Sequence, residues 1–155
     1  MKQKTFEFNI HPKSNLEDFY VTNSNIKAYN YVLSENNFIK YSIIYGPIKS
    51  GKTHLGLIWK NKNNAIVYYK NNYNRILKLK KNVFIDDFSL DLNEEYLFHI
   101  INHCFSHNLK ILLCTNKLLS DFNFQLNDLS SRLKSFHFIQ IKKPDDELMF
   151  AILLK

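Results

Sequence analysis

Glycine is almost missing from this sequence. There are three in 155 residues, Gly46, Gly51 and Gly56, so the chain has kept its freest backbone positions for one short stretch. Proline is equally scarce, with three, and no Pro- or Gly-rich linker divides the chain. Two cysteines, Cys104 and Cys114, lack CxxC spacing and sit inside apolar segments. They read as buried, reduced thiols rather than a disulfide framework. No run approaches the roughly 20 apolar residues that span a bilayer. The N-terminus has no apolar signal core, so a cytoplasmic protein without a membrane partner is expected. Arginine occurs twice, as Arg75 and Arg132, among 21 basic residues.

What is present excludes a disordered chain: 45% of the residues are hydrophobic and 15% aromatic, enough for one domain with a sizeable core. The formal net charge is +7, which favours an anionic partner. Lys, Asn, Ile, Phe and Tyr are abundant in the way an AT-rich genome imposes. The clusters at 60–64 and 70–72 therefore argue only weakly for nucleic-acid contact.

The three glycines belong to the stretch that organises the rest. Tyr41 to Tyr45 is a short apolar run. Gly46-Pro47-Ile48-Lys49-Ser50-Gly51-Lys52-Thr53 then fits the phosphate-loop spacing GxxxxGK[ST], and His54-Leu55 opens a helical pattern. The chemistry needs each part. Gly46 and Gly51 allow a tight turn with inward N–H groups. Lys52 brings a point charge to the β- and γ-phosphates, and the Thr53 hydroxyl can ligate Mg²⁺. The following helix offers its positive end to the anion.

Around this loop, apolar runs alternate with helical patterns. A helix capped by Ser24 or Asn25 runs through Ala28, Val32 and Leu33. Strands are expected at 41–45, 65–69, 83–87, 111–116 and 136–141, the second buried on both faces. Helices are expected at 53–60, about 75–79, from 93, at 126–133 and at 145–155. Such alternation defines an α/β fold, a parallel five-stranded sheet in a three-layer αβα domain of the P-loop NTPase type. Polar groups gather at strand ends, the edge where open α/β sheets bind ligands.

Three further features narrow the site. Val83-Phe84-Ile85 ends in paired carboxylates: Asp86 can hold Mg²⁺, and Asp87 can orient an attacking water. Thr115-Asn116 closes the fourth strand with a polar tip suited to a γ-phosphate, although Asn also ends strands for turn reasons. Arg132 follows Ser130-Ser131; it is either a surface arginine or a planar fork for a neighbouring subunit's phosphate. His99, His103 and His107 recur along one helix face, but no further ligand completes a metal shell. A polar helix face is the reading adopted. Trp59 reads as core.

Taken in order, several segments resemble the AAA+ ATPases of the DnaA family, and in particular their Hda-like branch. They are Glu17-Asp18-Phe19-Tyr20-Val21 with Asn25 and Ala28, the phosphate loop continuing into His54-Leu55, Asp86-Asp87, Asp128-Leu129-Ser130-Ser131-Arg132-Leu133, and Pro144-Asp145-Asp146. The resemblance implies an adenine flanked by Phe19, Tyr20, Val21 and Asn25. Phosphates would be held by Gly46, Pro47, Ile48, Lys49, Ser50, Gly51, Lys52, Thr53 and His54, and Mg²⁺ by Thr53 and Asp86. Asp87 and Asn116 would be catalytic-water and sensor groups, and Arg132 the arginine finger. ATP or ADP with Mg²⁺ would be the cofactor.

The same resemblance divides the chain into an arm at 1–14, a nucleotide-binding domain at 15–143 and the start of a truncated helical lid at 144–155. In the arm, Gln3, Phe6 and Phe8 are candidate anchors of a sliding-clamp-binding peptide; an ordinary edge strand fits them equally. The implied partners are the DnaA initiator and the clamp, with self-association and an indirect DNA contact. A DnaA-type or helicase-loader ATPase acting on DNA, and a non-catalytic interaction module, remain open. The missing lid argues for weak intrinsic turnover or none.

Overall fold

The computed structural model describes residues 16–35, 38–88 and 93–154. The arm at 1–14, with its clamp-peptide candidates Gln3, Phe6 and Phe8, lies outside the described residues. Five strands are present: β1 (Tyr41–Tyr45), β2 (Ile66–Val67), β3 (Val83–Ile85), β4 (Ile111–Thr115) and β5 (His137–Gln140). Six α-helices accompany them: α1 (Ile26–Leu33), α2 (Lys52–Lys62), α3 (Tyr73–Lys78), α4 (Glu94–Ser106), α5 (Asn127–Lys134) and α6 (Asp146–Leu153). All strand pairs are parallel, in the order β2-β3-β4-β1-β5.

Alternation along the central strands builds the layers. Ile43, Val83, Ile85, Ile111 and Leu113 point to one face, where they meet Ile76 of α3, Leu97, Ile100, Ile101 and Cys104 of α4, and Leu129 and Leu133 of α5. Ile44, Phe84, Leu112, Cys114 and Ile139 point to the other, against Ala28 and Val32 of α1 and Leu55, Ile58 and Trp59 of α2. Each Val, Leu, Ile or Phe among them contributes about 1.5–3 kcal/mol by leaving water. The sheet is thus a three-layer α/β sandwich, as the alternation of elements predicts. Gly56 lies in the second layer for reasons of space: a Cβ there would sit 2.1 Å from Cζ of the buried Phe84.

Two expectations change. The apolar run at 65–69 is not a strand buried on both faces. β2 keeps two residues, both half-buried, and Tyr69 is 61% exposed. Its place at the sheet edge leaves one neighbour, and aromatic content there reflects composition more than burial. The histidine face of α4 is not simply solvated either. Tyr73 Oη lies 2.7 Å from His99 Nδ1, and His103 Nε2 lies 2.9 Å from the Leu79 carbonyl, so this face lies against α3 and the residue after it. Among the described residues no cluster of three or more His, Cys, Asp or Glu could hold a metal.

Candidate nucleotide site

The site grows from the end of β1. The Gly46 N–H donates to the Thr115 carbonyl of β4 (3.2 Å), and the Ile141 N–H donates to Tyr45 (2.7 Å). A Cβ at Gly46 would come within 2.9 Å of both the Ile141 Cβ and its carbonyl oxygen, so only glycine lets the loop leave the sheet here. The loop then curls through two left-handed residues, Lys49 (φ 62°) and Gly51 (φ 91°). At Gly51 that conformation costs nothing; at Lys49 it stores strain. α2 starts at once, its Leu55 N–H bonded to the Gly51 carbonyl (3.0 Å). Its first N–H groups face the loop, an arrangement suited to an anion.

Lys52 is buried at 8% exposure. Its ammonium donates to the Gly46 carbonyl (2.8 Å), the Pro47 carbonyl (2.5 Å) and Ser50 Oγ (3.3 Å). Burial lowers its pKa, while Cys114, Asp87 and Asp86 act in the opposite direction. Below it, the Cys114 thiol donates to the Lys52 carbonyl at 3.8 Å. Thr53 Oγ1 donates to Asp86 Oδ2 at 2.8 Å, which ties the start of α2 to the tip of β3. A hydroxyl and a carboxylate at this spacing are hard oxygen donors of the kind Mg²⁺ takes, so these residues fit that ion. Asp87 follows with φ 41°, and the chain turns back as the Phe88 N–H donates to the Cys114 carbonyl (3.1 Å). Asn116 comes directly after Thr115, which the register places beside Tyr45. β4 lies between β1 and β3, so Asn116 stands between the loop and the acidic tip.

The other flank is made by the segment before α1. Phe19 stacks on Tyr29 (5.9 Å, 8°) and meets His54 edge-on (5.5 Å, 71°). A Cβ on Gly51 would lie 2.8 Å from Phe19 Cε2, so this ring covers the start of α2. Tyr20 and Val21 are exposed. Asn25 is buried and shapes the segment: it donates to the Tyr20 carbonyl (2.8 Å) and accepts the Thr22 N–H (2.9 Å).

Two groups escaped the sequence reading. Asp145 caps α6 through Leu148 N–H (2.9 Å) and also accepts the Ser24 N–H (3.3 Å), while Lys142 N–H bonds to Ser24 (2.9 Å). Those bonds, the Leu148 N–H foremost, hold the Asp145 carboxyl below its usual pKa. The Pro-Asp-Asp pattern marked the start of a helix but neither the cap nor the second bond. Glu94, at the start of α4, accepts the Gln125 N–H (2.9 and 3.1 Å) and the Leu126 N–H (2.8 Å). It fixes the approach to α5, and nothing local in sequence signals that.

Arg132 lies elsewhere. Its guanidinium stacks over Phe105 at 4.7 Å, and Phe105 packs on Tyr41 at 4.0 Å. Tyr41 begins β1, whereas the phosphate loop follows Tyr45 at its end. Strand β1 alone separates the two by roughly 13 Å. The structure therefore gathers Phe19 to Asn25, Gly46 to His54, Asp86, Asp87 and Asn116 at one edge, and sets Arg132 at the opposite one.

The sheet order and helix placement are the fold seen in solved DnaA structures. The chain is similar to AMPPCP-bound DnaA from Aquifex aeolicus (TM-score 0.76, 22% identity, covering 94% of this chain and 54% of that one). It is similar to domain III of DnaA from Thermotoga maritima (TM-score 0.75, 21% identity, 91% of this chain and 72% of that one). DnaI is a further neighbour (TM-score 0.62, 15% identity, 85% and 89%). This chain spans about half of the Aquifex structure it matches. No protein-family description matches the chain, and no curated protein does.

Proposed function

We propose that this chain binds ADP or ATP with Mg²⁺ and acts in the control of replication initiation, as an Hda-like partner of DnaA. The DnaA-like fold and the AMPPCP carried by the Aquifex neighbour support the nucleotide. Lys52 and the inward backbone of Gly46 to Gly51 bind the phosphates, with Ile48, Lys49 and His54 bordering them. Thr53 and Asp86 hold the metal ion, which neutralises phosphate charge when bound. Phe19, Tyr20 and Val21 border the base, and Asn25 keeps their backbone in shape. Asp87 and Asn116 face the γ-phosphate position, where they can hold a water.

The observation that carries the regulatory reading is polarity. Arg132 is too far from the chain's own loop to serve it, yet it is exposed and held by Phe105. An arginine so placed can reach a nucleotide bound by a neighbour and stabilise charge that develops during hydrolysis. In this reading the neighbour is DnaA, recruitment runs through Gln3, Phe6 and Phe8 to the sliding clamp, and contact with DNA is indirect. A helicase-loader role is the second reading, favoured by the likeness to DnaI over 89% of that chain.

The test is to mix the protein with ATP-loaded DnaA and DNA-loaded clamp and to follow conversion to ADP. Acceleration that disappears with Arg132→Ala and requires the clamp supports the regulator. No acceleration, with ADP still bound by this chain, rejects the regulatory role and leaves the nucleotide site standing.

A further inference from the structure

We infer that Asp145 is a positioning residue for the nucleobase, a role that rests on the base site proposed above. From the start of α6 it fixes where the segment bordering the base, Phe19 to Asn25, lies on the domain. Most bonds inside that segment are local. Asn25 donates to the Tyr20 carbonyl and accepts the Thr22 N–H. The Thr22 and Ser24 hydroxyls meet at 2.8 Å, and the Asn25 and Ile26 N–H groups donate to the Thr22 carbonyl (3.1 and 2.9 Å). Bonds between residues so close in sequence set a shape, but not its place against the sheet.

Placement comes from outside. Phe19 packs on Tyr29 and His54 at one end of the segment. At the other, the connection from β5 to α6 takes both backbone groups of Ser24. Its N–H donates to Asp145 Oδ2 (3.3 Å), and its carbonyl accepts the Lys142 N–H (2.9 Å). The Thr22 hydroxyl, which shares the Ser24 N–H (3.3 Å), also bonds to the Asp145 carboxylate. Thr22, Ser24 and Asn25 are polar yet buried, so a lost partner there is not simply replaced by water. Asp145 has two oxygens and two duties: Oδ1 caps α6 through the Leu148 N–H (2.9 Å), while Oδ2 reaches Ser24, 121 positions away. Only a carboxylate serves both. An amide would turn a donor toward one of the two N–H groups, and serine, a good cap, is too short for the second. Ser24 follows Val21 closely, so a shift there moves the backbone beside the base and not the phosphate loop.

Calorimetric titration of the full chain with ADP and with inorganic pyrophosphate, both with Mg²⁺, tests this. Asp145→Asn and Asp145→Ser should each weaken ADP about tenfold and leave pyrophosphate affinity unchanged. The thermal midpoint of Asp145→Ser should stay close to wild type, because a cap remains. Unchanged ADP affinity in both variants would make Asp145 a helix cap alone and overturns the proposal. Equal weakening of ADP and pyrophosphate would mark a general loss of structure and also overturns it. Phe19→Ala separates the base site from this role: weaker ADP there, with both Asp145 variants like wild type, keeps the base site and rejects Asp145. Wild-type protein that binds ADP no more tightly than pyrophosphate rejects the base site and Asp145 together.

Discussion

The Thr53 hydroxyl donates to the Asp86 carboxylate across 2.8 Å, although the two residues lie on different elements. That one bond brings the phosphate loop and the acidic strand tip to a common point. Either side chain alone is ordinary; together they offer two hard oxygen donors of the kind a magnesium ion takes. Asp86→Asn and Thr53→Ala should each remove the gain in nucleotide affinity that Mg²⁺ gives, while leaving affinity in EDTA close to wild type. Lys52→Ala should weaken binding about tenfold or more in both conditions, since it deletes a charge-assisted donor. Calorimetric titration with ADP, with and without Mg²⁺, separates the two outcomes.

Gly56→Ala should destabilise the protein by about 1–3 kcal/mol. The added Cβ would meet Phe84, a residue buried under α2 and unable to move aside. A fall of about 2–4 °C in Tm per kcal/mol is expected for a domain of this size. Combining it with Phe84→Leu should cost less than the sum of the two single changes, which a double-mutant cycle reads directly.

The two thiols give a pH dependence with a definite sign. Burial pushes Cys104 up to about 12 and Cys114 well above the ordinary 9.0. Below the unfolded value the thiols are neutral in both states and their contribution is fully present. As pH rises from 9.0 toward 12 the unfolded chain ionises them and the folded one does not, so stability falls. Urea unfolding over this range should show that fall, less steeply in Cys104→Ala. Iodoacetamide should label neither thiol in the native protein at neutral pH.

Glu94→Ala should lower stability by about 1–2 kcal/mol, because the Gln125 and Leu126 N–H groups lose a charged acceptor. ADP affinity should be unchanged, since Glu94 organises α5 and not the loop. Loss of DnaA-directed activity in Glu94→Ala, with nucleotide binding intact, would be the signature of a displaced Arg132.

Much of this was readable before any coordinates. GxxxxGK[ST] between an apolar run and a helical pattern specifies a local backbone, so the loop and its strand and helix follow from residues a few positions apart. The runs ending in Asp86-Asp87 and Thr115-Asn116 were legible for the same reason. What the pattern could not carry was position across the sheet. Ala65 to Tyr69 is as apolar as a central strand, and only the strand order shows it to be an edge. The bonds from Asp145 to Ser24 and from Glu94 to Leu126 join residues 121 and 32 positions apart, a distance at which sequence periodicity says nothing. The polar face of α4 was legible as polar, but not as a seam against α3.

Arg132 and Lys52 sit at opposite poles of β1, and this restricts how copies or relatives can meet. A two-fold contact pairs one residue with another and the reverse, so it could bring arginine to loop only through a patch that spans both poles at once. A contact made through one pole alone runs head to tail, with a direction. A row assembled that way ends in an exposed arginine on one side and an open loop on the other. A subunit with only one competent pole would then cap the row and set its length.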